Sequence, residues 1–337
     1  MPRPPQDRGS GIPGPQAKRL LDGAPLLAVV GPTASGKTSL AVGLAEALDG
    51  ELVGCDALQV YRRFDIATAK PTAEERARVP YHLVDELDPA EDFTLARFIE
   101  RAEELLVAIR GRGAQPILVG GTGMYLRGLL RGIVPAPDID PALRRRLAAM
   151  HERRGDRAMH RWLSRVDPDS AERIGPGDRQ RVGRALEWWV ASGSRWSERL
   201  DTQGTWGATG ERYRCLKLGL DAAVEWLAPR IEQRVERFFA DGLVEEVQGL
   251  LAAGVSPECN AFQAIGYREV AEALRGGGSM DEVIDRVKIH TRQYAKRQRT
   301  WFRKEPGIVW LDARAAPESL LASGLDVWTK FVRQSAI

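Results

Sequence analysis

The stretch Leu26-Leu27-Ala28-Val29-Val30-Gly31-Pro32-Thr33-Ala34-Ser35-Gly36-Lys37-Thr38 joins an apolar run to an octapeptide of the form G-x-x-x-x-G-K-[ST], and the amphipathic segment Ser39 to Leu48 follows it. Strand, glycine-rich turn and helix in that order make a phosphate cradle of the kind used for nucleotides such as ATP. The glycines let backbone N–H groups close around phosphate oxygens, Lys37 adds a point charge, and the Thr38 hydroxyl can reach a magnesium ion. A nucleotide hydrolase also needs a second strand ending in an acid to hold its metal. The next strong strand, Pro116 to Val119, runs instead into Gly120-Gly121-Thr122-Gly123, with no carboxylate. The motif points to a bound phosphate and not to hydrolysis.

Outward from the cradle, Glu51 to Cys55 reads as a second strand ending at Asp56, which completes a βαβ start. The segment Asp65 to Ala90 carries Pro71, Pro80 and Pro89 and reads as irregular, with a short strand at Tyr81 to Val84. Thr94 then precedes Leu95, Phe98, Ile99, Ala102, Leu105, Leu106 and Ile109, a helical period that stops at Gly111 and Gly113. Alternating strands and helices predict an α/β fold: a P-loop-containing parallel sheet flanked by helices, with its ligand at the carboxyl ends of the strands. The cradle, Asp56 and Thr122 all fall at such ends.

Pro135-Ala136-Pro137-Asp138 reads as a linker, after which the composition turns to arginine. Between Asp140 and Leu200 there are fourteen Arg, no Lys and nine acids, with helical patterns at Leu143 to Met150 and Val182 to Trp189. Such a bias reflects either composition alone or selection for forked phosphate contacts. Gly193 to Gly210 reads as a return loop, the sheet resumes near Tyr213 to Leu218, and long amphipathic helices are predicted over Trp226 to Ala253 and Asp281 to Phe302. The expected organisation is a disordered tail over 1–22, a P-loop catalytic core over 23–138 and 211–337, and a small all-helical insertion domain over 139–210.

A chain of 337 residues with 43% hydrophobic content and both charge signs well represented is that of an ordinary globular protein. No apolar run approaches the ~20 residues of a membrane span, and residues 1–20 lack the apolar centre of a signal peptide. Cys55, Cys215 and Cys259 have no metal-binding or disulfide spacing, so a reducing, cytoplasmic setting is expected. The net charge of +3 identifies no partner, but its distribution is uneven. Arg286, Lys288, Arg292, Lys296, Arg297, Arg299, Arg303 and Lys304 follow one another without an acid. That run is either a solvated helix face or a surface for a polyanion. Tyr294, Trp301 and Phe302 within it either stack on RNA bases or pack in the core.

Five motifs now stand in order: Gly31 to Thr38; Cys55-Asp56-Ala57-Leu58-Gln59-Val60-Tyr61; Asp65-Ile66-Ala67-Thr68-Ala69-Lys70-Pro71; Val119-Gly120-Gly121-Thr122-Gly123-Met124-Tyr125; and Lys296-Arg297-Gln298-Arg299-Thr300-Trp301-Phe302-Arg303. Together they resemble the signatures of the tRNA dimethylallyltransferases over roughly Leu26 to Arg303. The resemblance implies transfer of a dimethylallyl group from dimethylallyl diphosphate to N6 of the adenosine just 3′ of the anticodon, with Mg2+ as cofactor. It implies that Gly31, Pro32, Thr33, Ala34, Ser35, Gly36, Lys37, Thr38 and Arg230 hold the diphosphate, Thr38 also holding the metal. Asp56 would accept the amine proton, with Thr122 and Lys37 completing the catalytic set. By residue type alone Asp56 can also be a helix cap or a metal ligand, Thr122 can bond its own backbone, Gln59 can be a plain surface residue, and Arg230 can be half of a surface ion pair. The tRNA contacts implied are Asp56, Ala57, Leu58, Gln59, Thr122, Arg144, Gln180, Arg181, Val182, Gly183, Arg184, Gln263, Tyr267, Arg268, Lys296, Arg297, Arg299 and Arg303, all of them meeting the anticodon stem-loop while the target base leaves its stack.

Two positions depart from the family pattern: Ala57 where Ser is frequent, and Ala67 where Gly is usual. The chain ends at Ile337 without the zinc-finger extension of eukaryotic relatives, which fits a bacterial type. One complete site per chain predicts a monomer. The alternatives on the same architecture are a small-molecule kinase, with Asp56 accepting a hydroxyl proton, and a prenyltransferase acting on free AMP. A nucleotide-state switch would need a metal-holding acid and a water-positioning residue, and the sequence shows no such pair.

Overall fold

The computed structural model describes residues 24–133, 139–203 and 210–334. The expected tail over 1–22 and the linker Pro135 to Asp138 lie outside them. The described residues fall into two compact units, one made of the chain up to Leu130 and from Tyr213 onward, the other of Arg131–Arg212.

The first unit is built on six parallel strands: β1 (Leu26–Val30), β2 (Gly50–Gly54), β3 (Tyr81–His82), β4 (Gln115–Gly120), β5 (Cys215–Asp221) and β6 (Ile308–Asp312). They lie in the order β3-β2-β4-β1-β5-β6. The apolar run that opens the fold is an inner strand, each of its residues at most 2% exposed, as a strand covered on both faces must be. Val30 stands opposite Gly120 on one side and Gly219 on the other. Because every pairing is parallel, all the carboxyl ends share one edge. The loops after β2, β4 and β1 are therefore neighbours there.

Helix α1 (Lys37–Ala47) follows the glycine-rich loop, and α3 (Leu95–Gly111) starts at Thr94, whose side chain accepts a hydrogen bond from Arg97 N. Between them the sequence predicted irregular chain over Asp65 to Ala90. The structure places a short helix there, α2 (Ala73–Arg78), nucleated by a reciprocal cap: Thr72 Oγ1 accepts from Glu75 N and Glu75 Oε2 accepts from Thr72 N. The expected strand at Tyr81 to Val84 is shorter, because Leu83 and Asp85 take left-handed conformations, φ 62° and 57°.

Helix α4 (Gly123–Arg131) leaves the end of β4, and after the second unit β5 returns to the sheet. The single helix predicted over Trp226 to Ala253 is two, α10 (Val224–Ala240) and α11 (Leu243–Ala252). Gly242 separates them at φ 95°, a conformation that breaks a helix and that glycine alone adopts freely. A 3₁₀ turn (Asn260–Gln263), α12 (Tyr267–Gly276) and the long α13 (Met280–Arg303) follow, and β6 and α14 (Pro317–Arg333) complete the unit.

The second unit contains α5 (Pro141–Arg154), α6 (Asp156–Val166), α7 (Pro168–Arg173), α8 (Arg179–Ser192) and α9 (Trp196–Gln203). It has its own apolar core, with Met159, Leu163, Ile174, Val182 and Leu186 at the centre. The return loop predicted over Gly193 to Gly210 is replaced in its described part by α9. Two contacts hold that helix: Ser197 Oγ and N donate to the fully buried Asp167, and the Trp196 ring lies 5.3 Å from Trp188. Among the described residues no helix is long and apolar enough to cross a membrane.

Candidate active site

Two cavities open at the carboxyl edge of the sheet, and they share a wall made of Lys37, Asp56, Gln59, Ala69 and Arg234. The larger, about 520 Å³, is bounded by the glycine-rich loop (Ala34, Gly36, Thr38) and by Lys70, Arg230 and Arg237. The smaller, about 250 Å³, is bounded by Thr33, Leu58, Phe238, Gln263, Ile265, Tyr294, Arg297 and Gln298 among others. One is lined with cations, the other is mixed apolar and polar.

Gly36 turns the loop into α1 at φ 89°, leaving the first amides of the helix facing outward. Ser35 Oγ is buried with no hydrogen-bond partner among the described residues. Lys37 Nζ donates to Pro32 O at 3.4 Å. Burial first, and then the nearby Arg234 guanidinium, lower its pKa to about 8, against the pull of Asp56. Arg230 Nε donates to Ala34 O at 3.2 Å, and its guanidinium stacks on Trp226 at 4.4 Å.

Arg234 was missed by sequence reasoning. It lies one turn after Arg230 on α10, a spacing of four that puts both guanidinium groups on one helix face, and this is the signal that could have found it. Burial pushes its pKa down while Asp56 pulls it up, and no hydrogen bond from it is formed among the described residues. A desolvated guanidinium without an acceptor, beside a desolvated lysine, is a site for an anion.

Asp56 sits just past the end of β2. Its Oδ1 accepts from Leu58 N at 2.9 Å and from Gln59 N at 3.4 Å, so one oxygen fixes the turn while the carboxylate borders both cavities. Capping and exposure to a ligand are thus compatible for this side chain. Cys55, its neighbour, is no rival nucleophile, because burial pushes its thiol well above the ordinary value. Thr122 N donates to Cys55 O at 3.3 Å, tying the ends of β4 and β2 together. Thr122 and Gln298 lie near the Tyr294 phenol, which burial keeps protonated.

Gln298 is a second residue the sequence did not single out. Its Oε1 accepts from Thr33 N at 2.8 Å and its Nε2 donates to Gly121 O at 3.0 Å, so it links α13 to two strand ends at once. A Cβ on Gly121 would stand 2.1 Å from that Nε2, which accounts for the glycine. Gln59 is held by its amide, which donates to Thr68 O and Ala69 O at 3.2 and 3.0 Å. Ala67, the departure from the family pattern, lies in the same loop, and its Cβ would stand 3.0 Å from a Cβ on Gly266, so these two positions cannot both enlarge.

Several expected RNA-contacting residues have other tasks. Tyr267 is fully buried: its ring packs on Phe64 at 4.8 Å and its hydroxyl bonds Glu246 and Ala67 N, so it is core. Val182 is core in the helical unit. Arg299 and Arg303 both grip Asp221, at 2.7 and 3.0 Å. Trp301, half-buried, faces the Arg127 guanidinium at 4.6 Å, and Phe302, 1% exposed, packs in the core. Lys296, Arg297, Gln263 and Arg268 are exposed, Arg268 lying 3.3 Å from Glu269. Ala57 borders neither cavity and Leu58 borders the smaller one. In the helical unit Arg144, Gln180, Gly183 and Arg184 line one cavity, while Arg181 is paired with Asp178 at 3.3 Å.

Thr38 borders the larger cavity, but the described residues contain no group of three or more His, Cys, Asp or Glu side chains able to hold a metal ion by themselves. A magnesium ion here fits only as a partner of phosphate oxygens, its usual mode.

Against known proteins, the family model described as IPP transferase matches residues 59–305. A tRNA dimethylallyltransferase of Geobacter metallireducens is 47% identical over 298 residues, covering 88% of this chain and 96% of its own length. The one from Anaeromyxobacter dehalogenans is 47% identical over 297 residues, 88% and 97% covered. Among solved structures, a tRNA isopentenylpyrophosphate transferase of Bacillus halodurans superposes with a TM-score of 0.68 at 37% identity, over 93% of this chain and 98% of that one. A eukaryotic dimethylallyltransferase acting on tRNA gives 0.76 at 29% identity, over 90% and 79%.

Proposed function

The chain belongs to the IPP transferase family, that of the tRNA dimethylallyltransferases, and from this premise we propose how its two joined cavities carry out the reaction. It is a prenyltransferase that modifies tRNA. The donor is dimethylallyl diphosphate and the acceptor is N6 of the adenosine 3′ to the anticodon in an anticodon stem-loop. The observation that carries this reading is the shared wall: one carboxylate, Asp56, stands between a cationic cavity against a glycine-rich loop and a smaller cavity of mixed polarity.

The diphosphate lies in the larger cavity, on the loop amides of Gly31 to Thr38 and the cations Lys37, Arg230 and Arg234. The adenine enters the smaller one, toward Thr122 and Tyr294. As N6 bonds to C1 of the prenyl group, the C1–O bond breaks and its electron pair leaves with the diphosphate, where the cations stabilise the growing charge. Asp56 takes the N6 proton. Thr38 and the diphosphate oxygens would hold Mg2+, which supplies further positive charge to the leaving group when bound. Arg144, Gln180, Arg184, Gln263, Arg268, Lys296 and Arg297 meet the RNA. The enzyme acts as a cytoplasmic monomer.

The test is transfer of labelled dimethylallyl diphosphate to an unmodified anticodon stem-loop, beside AMP as acceptor and labelled ATP as competing donor. Label on the RNA alone supports the reading. Label on AMP alone would remove tRNA as substrate, and phosphate transfer from ATP without prenyl product would hand the site to a kinase.

A further inference from the structure

Helix α8 has a glycine in its interior at position 183, where glycine costs about 1 kcal/mol relative to alanine. Packing does not require it, since a Cβ built there meets nothing within 4 Å. Gly183 opens instead onto a cavity of about 300 Å³ that lies wholly within the helical unit. Leu147 and Met159, 5% and 1% exposed, supply apolar walls. The mouth is basic: Arg144 Nε and Arg184 Nη1 stand 3.5 and 3.7 Å from Glu187 Oε2, near enough for ion pairing and too far for good hydrogen bonds. That same oxygen is buried with no hydrogen-bond partner among the described residues.

Such a slot fits one chemistry better than its neighbours. A phosphate alone would use the guanidinium groups and gain nothing from Leu147 and Met159. An apolar peptide side chain would leave the buried carboxylate oxygen without a hydrogen bond and add none to either arginine, at a desolvation cost. A planar nucleobase drawn out of its stack uses all three: its faces meet the apolar walls, an exocyclic amine donates to Glu187, and its phosphate stays outside between the arginines. We propose that this cavity is a second base pocket, which takes one unstacked, amine-bearing base of the RNA (adenine, cytosine or guanine) other than the base that reacts. The proposal rests on the RNA-modifying function. It explains a glycine in the interior of this helix: a long side chain there would project into the slot.

Fluorescence anisotropy of a labelled anticodon stem-loop with the full-length enzyme provides the test, using wild type, Gly183→Ala and Gly183→Leu, and RNAs with one abasic site at each loop position in turn. Both substitutions improve helix propensity, so the thermal midpoint stays level or rises. Gly183→Leu should weaken RNA binding about ten-fold or more, the worth of one stacked base, with Gly183→Ala in between. One abasic position should weaken wild type by a similar factor and leave Gly183→Leu unaffected. Unchanged affinity for Gly183→Leu, or losses that multiply at every abasic position, would overturn the pocket and leave the function intact. Failure of wild type to bind the stem-loop would overturn both.

Discussion

Lys37 carries a charge that the fold makes costly. Its folded pKa of about 8 lies below the ordinary 10.5, so the native state binds fewer protons than the unfolded chain between those values. Stability therefore rises with pH across that window, and the destabilisation is fully present below about 8. Lys37→Met should raise stability at pH 7, by roughly 1–3 kcal/mol, while abolishing use of the donor; urea midpoints and initial rates read the two effects separately. The same depressed pKa sets an alkaline limit on diphosphate binding, because the ammonium is lost as pH passes about 8. Arg234 is one cause of the depression, so Arg234→Gln should move that limit to higher pH even as it weakens the site for inorganic pyrophosphate. A pH titration of pyrophosphate binding that keeps its limit near 8 in the variant would exclude the coupling. Asp56→Ala should lower kcat by about 10²–10⁴ with RNA affinity almost unchanged, as removal of a proton acceptor does.

Lys70 holds the most contorted element of the site. Its ammonium, 3% exposed, donates to Tyr61 O, Asp65 Oδ1 and Asp85 Oδ1, and Arg76 reaches Asp85 from the other side at 2.7 Å. Around it Arg63, Ala69, Leu83 and Asp85 all have positive φ, 68°, 50°, 62° and 57°. Conformations of this kind persist only where the surroundings over-determine them. Hydrogen bonds from Lys70 and Arg76 hold the Asp85 carboxyl below its usual value against the effect of burial, so this contribution is present above pH about 4 and lost as pH falls further. Lys70→Met leaves two carboxylates facing each other; hydrogen exchange over residues 63–85 should speed up, stability should fall by about 3 kcal/mol, and the donor KM should rise. The sequence announced the loop only as proline-rich chain, because a six-residue helix and isolated left-handed residues leave no period to read. The β1 run and α1 were legible because burial on every side makes a continuous apolar strand and the octapeptide has one backbone solution. The strand β6 was not: its apolar run, Ile308 to Leu311, is only four residues long, and Val309 and Trp310 remain partly exposed at the sheet edge, so no burial pattern separates strand from helix there. Arg234 and Gln298 escaped notice for a related reason. Each gains its role only where a helix distant in sequence meets the strand ends.

At the scale of the molecule, the meaning of the basic run on α13 depends on which charges are already spent. Of the residues expected to meet RNA there, Arg299 and Arg303 are bound to Asp221 at the end of β5, and Arg299 is only 20% exposed. Lys296 and Arg297 are exposed, and Arg297 borders the smaller cavity. A cation that keeps its carboxylate partner releases no counterion when a phosphate approaches, whereas a free one does, and only the latter steepens the salt dependence of binding. Arg297→Ala should therefore flatten the slope of log K against log salt by about one. Arg299→Ala should leave that slope almost unchanged and lower the thermal midpoint instead, because it leaves the partly buried Asp221 carboxylate to the more exposed Arg303 alone. Anisotropy titrations of the stem-loop from low to high salt separate the two variants. Equal flattening by both would mean that Asp221 gives up its arginines to the RNA, and that the ion pairs at the end of β5 exist only until the substrate arrives.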